Sequence, residues 1–215
     1  MSWSMNEIDS MSRKAVRGAG MSWGLAEEAG KSARWLASFS LPGPEMLAAH
    51  LPRVDGAAYA QICPDGTDGQ WLAAGGVLCP LATGPAITDR AVRAASGGIT
   101  LGRTACPLLL LPGVASVAVL TGQAMMIGWD GAQAVVAQGR RLQIVDASRL
   151  EAADTRHVEI GPAAADPVPN RDSVYRYEMD RATAAVVGKF AHRTYAPDTP
   201  ESRLSGAGAG LTDND

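Results

Sequence analysis

The sequence predicts an α+β fold: an N-terminal helical hairpin packed on a mostly antiparallel sheet, then a C-terminal helix and a Gly-rich tail. Three observations predict it. Apolar residues recur at helical spacing as far as Phe39, and after Arg53 the texture changes to short apolar stretches punctuated by glycine. Asp130-Gly131 then joins two apolar runs, and Asp-Gly is a favoured two-residue turn between paired strands. With 215 residues, 47% of them hydrophobic, the chain can bury a sizeable core as one compact domain. It divides into an N-terminal helical region (1–52), a β-rich core (53–178), a C-terminal helix (179–195) and a Gly-rich tail (196–215).

Each element has a local cause. Ser4, with Glu7 three residues on, forms a capping box that starts a helix over Met5 to Arg17, and Gly18-Ala19-Gly20 stops it. Ile8, Met11 and Ala15 share its inner face. A second helix follows at once, from Ser22 to Phe39, with Leu25, Ala29, Ala33, Leu36 and Phe39 on one side. Leu41-Pro42-Gly43-Pro44 breaks the pattern, and Pro44 suits the first turn of a short third helix ending by His50 to Pro52. Thr88 to Ala95 predicts a short helix, while Leu108 to Leu111 and Val117 to Leu120 predict buried strands. Ala124 to Trp129 and Ala132 to Val136 form the hairpin, Arg141 to Val145 adds a third strand, and Thr155 to Ile160 alternates as an edge strand would. Asp166 to Pro169 is a linker-like break. Asp180 then caps a last helix that runs to Arg193.

Composition excludes several functions. Nineteen basic and twenty-two acidic residues give a formal charge of -3, without the basic field that phosphate-backbone binding requires, so nucleic acid is not an expected partner. The apolar run Pro107 to Leu120 is interrupted by Pro112 and Gly113 and falls short of the roughly 20 residues that span a bilayer. No membrane association is expected. Glu7, Asp9, Arg13, Lys14 and Arg17 punctuate the N-terminus, unlike a secretory signal, and the expected location is cytoplasmic. Three cysteines, each preceding a proline, make no disulfide framework and are expected to be free thiols in the core. His50, His157 and His192 lack the spacing of a helical metal pair, and neither a metal nor a cofactor is expected.

Two segments carry candidate chemistry. Trp23, Glu27, Lys31 and Trp35 fall one helical turn apart on the second helix, a stripe able to stack and orient a planar ligand or cover a partner. Glu27 and Glu28 are the candidate general acid or base, with Glu28, beside Leu25, Ala29 and Ser32, expected to be the buried one of the two. In the tail, Arg203 can hold a carboxylate and Glu201 lies beside it, while Gly206, Gly208 and Gly210 let backbone amides approach an anion.

The segments Met5-Asn6-Glu7-Ile8, Lys14 to Gly20, Trp23 to Gly30 and Arg34-Trp35-Leu36 resemble a bacterial protein family catalogued as a domain of unknown function. Arg193-Thr194-Tyr195, Glu201-Ser202-Arg203 and the glycines before Asp213-Asn214-Asp215 resemble the same family's ending. The resemblance brings no activity with it and directs attention to the two termini. The expected function is that of a binding or accessory subunit, its ligand- or partner-binding residues being Trp23, Arg34, Trp35, Glu201, Arg203 and the tail glycines. A protein partner or a second copy of the chain, or a small anionic metabolite, is the expected occupant. The alternative is an enzyme acting on a small carboxylated or amide-bearing metabolite.

Overall fold

The computed structural model of the chain describes residues 1–65 and 69–195. A short strand, β1 (Ser2–Ser4), leads into α1 (Met5–Gly18), and the capping box is present: Glu7 N donates to Ser4 Oγ at 3.3 Å while Ser4 N donates to Glu7 Oε2 at 2.7 Å. α2 (Trp23–Ala37) is capped by Ser22, whose Oγ accepts from Leu25 N. The two helices meet closely at Gly30, where a Cβ would stand 2.8 Å from the Asp9 carbonyl oxygen. α3 (Gly43–Val54) runs on through Pro52, beyond the expected stop, because a proline so near a C-terminus costs only one ladder hydrogen bond.

A single-turn helix, α4 (Tyr59–Ile62), precedes α5 (Pro80–Asp89) and α6 (Ala91–Gly97), so the expected helix over Thr88 to Ala95 falls on a junction between two helices. Strands β2 (Ile99–Leu101) and β3 (Thr104–Ala105) follow. The two apolar runs expected as buried strands are helical instead: a 3-10 turn over Pro107–Leu110 feeds α7 (Leu111–Thr121). Pro107 and Pro112 each occupy a first helical turn, where their fixed φ and missing N–H are suited, and Gly122 at φ 73° closes α7 in the left-handed region. Apolar residues stand on both the buried side of α7 (Leu111, Val114, Val117, Ala118) and its exposed side (Val119, Leu120), which leaves the helix little amphipathic period, and the short apolar runs within it look alike as strand or helix.

The expected hairpin is β4 (Met125–Trp129) and β5 (Ala132–Ala137), followed by β6 (Arg141–Asp146). After β7 (Asp154–Thr155), which pairs only with β3, β8 (Val158–Pro162) enters the middle of the main sheet. The order is β2-β8-β4-β5-β6, every pair antiparallel. The stretch expected as an edge strand is therefore interior. Its alternation records one buried and one solvated face, and its outer neighbour β2 is too short to announce itself in the sequence.

Met125, Ile127, Val136, Leu142, Val158 and Ile160 point to the inner face and are buried, with α6 and α7 packed across β8, β4 and β5. The α1–α2 hairpin packs in turn on α3, α5 and α7 and on the C-terminal helix α8 (Arg181–His192), which Asp180 caps through Thr183 N at 2.9 Å. Before α8, β9 (Arg176–Glu178) returns to pair with β1, and Tyr177 donates its hydroxyl to Glu45 on α3 at 2.7 Å. Single residues finish both edges of the main sheet. Asn170 bonds Ile144 through both ends of its side-chain amide, at 2.9 and 2.7 Å, and Trp71 exchanges backbone bonds with Thr100 and Gly102 beside β2. Among the described residues no helix is long and apolar enough to cross a membrane.

Candidate functional site

A groove of about 650 Å³ lies along the C-terminal half of α2. Its lining includes Lys31, Arg34 and Trp35 of α2, Ser38 capping its C-terminus, Arg140 from the β5–β6 turn, and Ser173, Val174 and Tyr175 from the segment before β9. That segment is held against the helix by Val174 N donating to the Ser38 carbonyl at 2.7 Å. Among the described residues no carboxylate lines the groove. Lys31 pairs with Glu28 at 2.6 Å, which raises its pKa and keeps it charged, and Arg34 reaches Asp9 at 3.8 Å; both carboxylates lie outside the lining.

Arg140 is different. Its Nη2 donates to Ser38 Oγ at 2.6 Å and to Ser173 Oγ at 3.5 Å, its guanidinium lies 4.9 Å from the Phe39 ring centroid, and among the described residues no carboxylate pairs with it. Its backbone sits at φ 58°, left-handed, directly after Gly139 at φ 72°. Glycine or asparagine is the ordinary occupant of such a turn position, so a strained backbone holds this cation against the groove.

The structure places the sequence-derived candidates unevenly. Arg34 and Trp35 share the groove. Trp23 stands at the far end of α2, exposed, with the Arg17 guanidinium 5.2 Å from its ring, and does not line the groove. Glu28 is not the buried carboxylate expected: its side chain is 48% exposed, because the i,i+3 pairing with Lys31 turns it outward. It lines a second groove of about 400 Å³ between α2, α5 and α7, which shares Lys31 and Trp35 with the first. Glu27 is exposed and lines neither groove. Glu201, Arg203, Gly206, Gly208 and Gly210 lie outside the described residues. Arg140 and Tyr175 escaped the sequence reading, since neither belongs to a motif; an arginine directly after a turn glycine was the available signal.

A separate cavity of about 360 Å³ is built from α3, α4, the loop ending at Cys79, and the β3–β7 pair. On its lining, His50 Nε2 lies 3.2 Å from Cys79 Sγ, both residues almost fully buried, and among the described residues His50 Nδ1 has no partner. Cys79 occupies the N-cap of α5 with Pro80 at the first helical turn. Desolvation, with the Arg53 charge second, pulls the His50 pKa down to about 4; burial pushes the Cys79 thiol up to about 11, while the Ala82 and Leu81 amides act on the sulfur in the opposite sense. The pair rests neutral. Arg53, Gln61, Arg103 and Asp154 also line the cavity, Arg103 being paired to Asp154 at 3.0 Å and Arg53 donating, among the described residues, to the Ala153 carbonyl at 3.0 Å. Gly75 closes one wall, where a Cβ would meet the Gln61 carbonyl oxygen at 2.7 Å. The expected burial of the thiols holds for Cys79 and Cys106, whereas Cys63 is half-buried. His50 and Cys79 lie far apart in sequence on separate elements, so no spacing rule joins them.

A wider concavity, about 790 Å³, lies over the outer face of the sheet, where Arg149 pairs with Asp130 at 2.6 Å and His157 Nε2 lies 3.1 Å from Glu159 Oε1, with Arg156 and Asp146 also on the lining. Among the described residues no cluster of three or more His, Cys, Asp or Glu is arranged to hold a metal ion.

These features define an α+β protein with a cationic, aromatic-walled groove on its N-terminal helices and a buried thiol–imidazole pair. Its N-terminal part, residues 3–79, matches the family described as "Protein of unknown function (DUF3726)", as the resemblance implied. The matched stretch contains Lys31, Arg34, Trp35, His50, Arg53 and Cys79; Arg140 and Tyr175 lie beyond it. No curated protein and no solved structure matches the chain.

Proposed function

We propose that the chain is a binding or accessory protein whose groove along α2 takes a small anionic metabolite carrying a planar group. Arg140 carries this reading. A guanidinium satisfied among the described residues only by hydroxyls, held by a left-handed backbone in a groove that they line without a carboxylate, has its charge available for an anion. Trp35 and Tyr175 supply aromatic surface on which a planar group can stack, Tyr175 being 88% exposed without a ligand. The volume of about 650 Å³ suits a metabolite. Lys31 and Arg34 reinforce the field, each already oriented by a carboxylate outside the groove.

A thermal-shift panel of aromatic carboxylates and nucleoside monophosphates, followed by calorimetry on the anion giving the largest shift, tests the reading. A ligand at a hundred times its dissociation constant stabilises the folded state by about 2.7 kcal/mol, an easily measured shift. Binding should be lost in Arg140→Gln and weakened in Trp35→Ala. An Arg140→Gln protein that binds as tightly as the parent, or a panel in which no anion shifts the parent, overturns it.

A further inference from the structure

We propose that His50 and Cys79 form a second, catalytic site, in which a thiol and its general base act on the amide bond of a small carboxylated substrate anchored by Arg53. The geometry supplies each part. Sγ and Nε2 stand 3.2 Å apart, within reach for direct proton transfer involving a sulfur donor. The sulfur lies at the start of a ten-residue helix, whose N-terminal amides and dipole favour negative charge on it. Both residues line a cavity, and among the described residues the buried His50 Nδ1 has no hydrogen-bond partner. Arg53 on the same lining has no carboxylate partner among the described residues, whereas Arg103 is already held by Asp154.

The chemistry balances with water as the only co-reactant. Cys79 Sγ attacks the amide carbonyl carbon with an electron pair while its proton passes to His50 Nε2. The tetrahedral intermediate collapses, the carbon–nitrogen bond breaks, and the amine leaves with the proton from Nε2. Water, deprotonated by His50, then attacks the thioester; the carbon–sulfur bond breaks, the proton on Nε2 returns to sulfur, and the carboxylic acid departs and gives its own proton to solvent. Arg53 couples binding to this step. Desolvation is the larger cause of the low basicity of His50 and the Arg53 charge the smaller; a bound carboxylate offsets only the Arg53 part, so the imidazole becomes a somewhat better base when substrate is present.

Alkylation by two reagents of similar size, neutral iodoacetamide and anionic iodoacetate, tests this without knowledge of the substrate. The extent of labelling at Cys63, Cys79 and Cys106 is followed separately by peptide mass spectrometry. Ordinary thiols favour the neutral reagent. Cys79 should favour iodoacetate by about tenfold, the lower end of what electrostatic focusing delivers. Arg53→Gln should abolish that preference, and His50→Gln should slow both reagents at Cys79 while leaving Cys63 and Cys106 unchanged. Arg140→Gln should change nothing, which separates this site from the groove on α2. A thiol that is only part of the core reacts through transient opening, so the destabilising His50→Gln change would then speed its labelling, with no preference for the anion. Either observation overturns the proposal.

Discussion

Gly18 on α1 faces the backbone carbonyl of Phe190 on α8 with no room for a methyl group, since a Cβ at position 18 would overlap the Phe190 oxygen. The first and last helices are thereby held at a distance only glycine allows. Arg193, just beyond α8, secures the same junction by forking onto both carboxylate oxygens of Asp55, at 2.6 and 3.1 Å.

Gly18→Ala should therefore destabilise the protein by about 2 kcal/mol or more, because the obstructing atom belongs to a backbone and not to a movable side chain. Gly188→Ala on α8 is the control. Nothing lies within 4 Å of its added methyl group, so it should stabilise the helix by about 0.5–1 kcal/mol. Urea unfolding of the two variants, compared with the parent, checks both signs.

His50 should make stability depend on pH. Its pKa falls from 6.5 in the unfolded chain to about 4 in the folded protein, so between those values the unfolded state binds more protons. The stabilisation is complete above pH 6.5 and is lost as pH falls towards 4, by about 3 kcal/mol in all. His50→Gln should flatten the unfolding free energy across that window; an unchanged slope would contradict the assignment.

Arg140→Gly should raise stability and remove function together. Glycine occupies the left-handed region without the penalty of about 1–2 kcal/mol that a side chain incurs there, though lost contacts to Ser38 and Phe39 offset part of the gain. The expected outcome is a melting temperature no lower than that of the parent, with anion binding gone by calorimetry. A variant that melts lower would show that the turn is not strained.

Tyr177→Phe leaves the half-buried Glu45 carboxylate without the hydroxyl that now donates to it, and burial already raises the Glu45 pKa. A loss of about 1 kcal/mol is expected at neutral pH. The loss should shrink under acid conditions, where Glu45 protonates and no longer needs a donor, and denaturant titrations at two pH values read the difference.

The elements with local chemistry were legible in the sequence. Ser4 and Glu7 announced α1, Asp130-Gly131 the β4–β5 turn, and Asp180 the start of α8. What was not legible depended on distant partners. Leu108 to Leu120 carries enough apolar residues for strand or helix, and only burial between α5, α6 and the sheet makes it helical. For the groove, Arg34 and Trp35 were visible because they share a helix face, while Arg140 and Tyr175 reach it from separate chain segments. Nor did His50 and Cys79 have any spacing to betray them, although Cys79-Pro80 is a sequence that places a thiol at a helix start.

The side chain of Asn170 copies a peptide group, offering β6 one donor and one acceptor as a neighbouring strand would, and Trp71 does the same for β2 with its own backbone. A sheet terminated on both sides in this way has little left to template with. Another chain cannot simply continue the ladder at these points, and the charges of Arg141 and Asp146 at the two ends of the edge strand β6 further discourage runaway stacking of copies. Assembly with a partner is thereby directed to side-chain surfaces, where recognition depends on which residues meet and not on backbone alone.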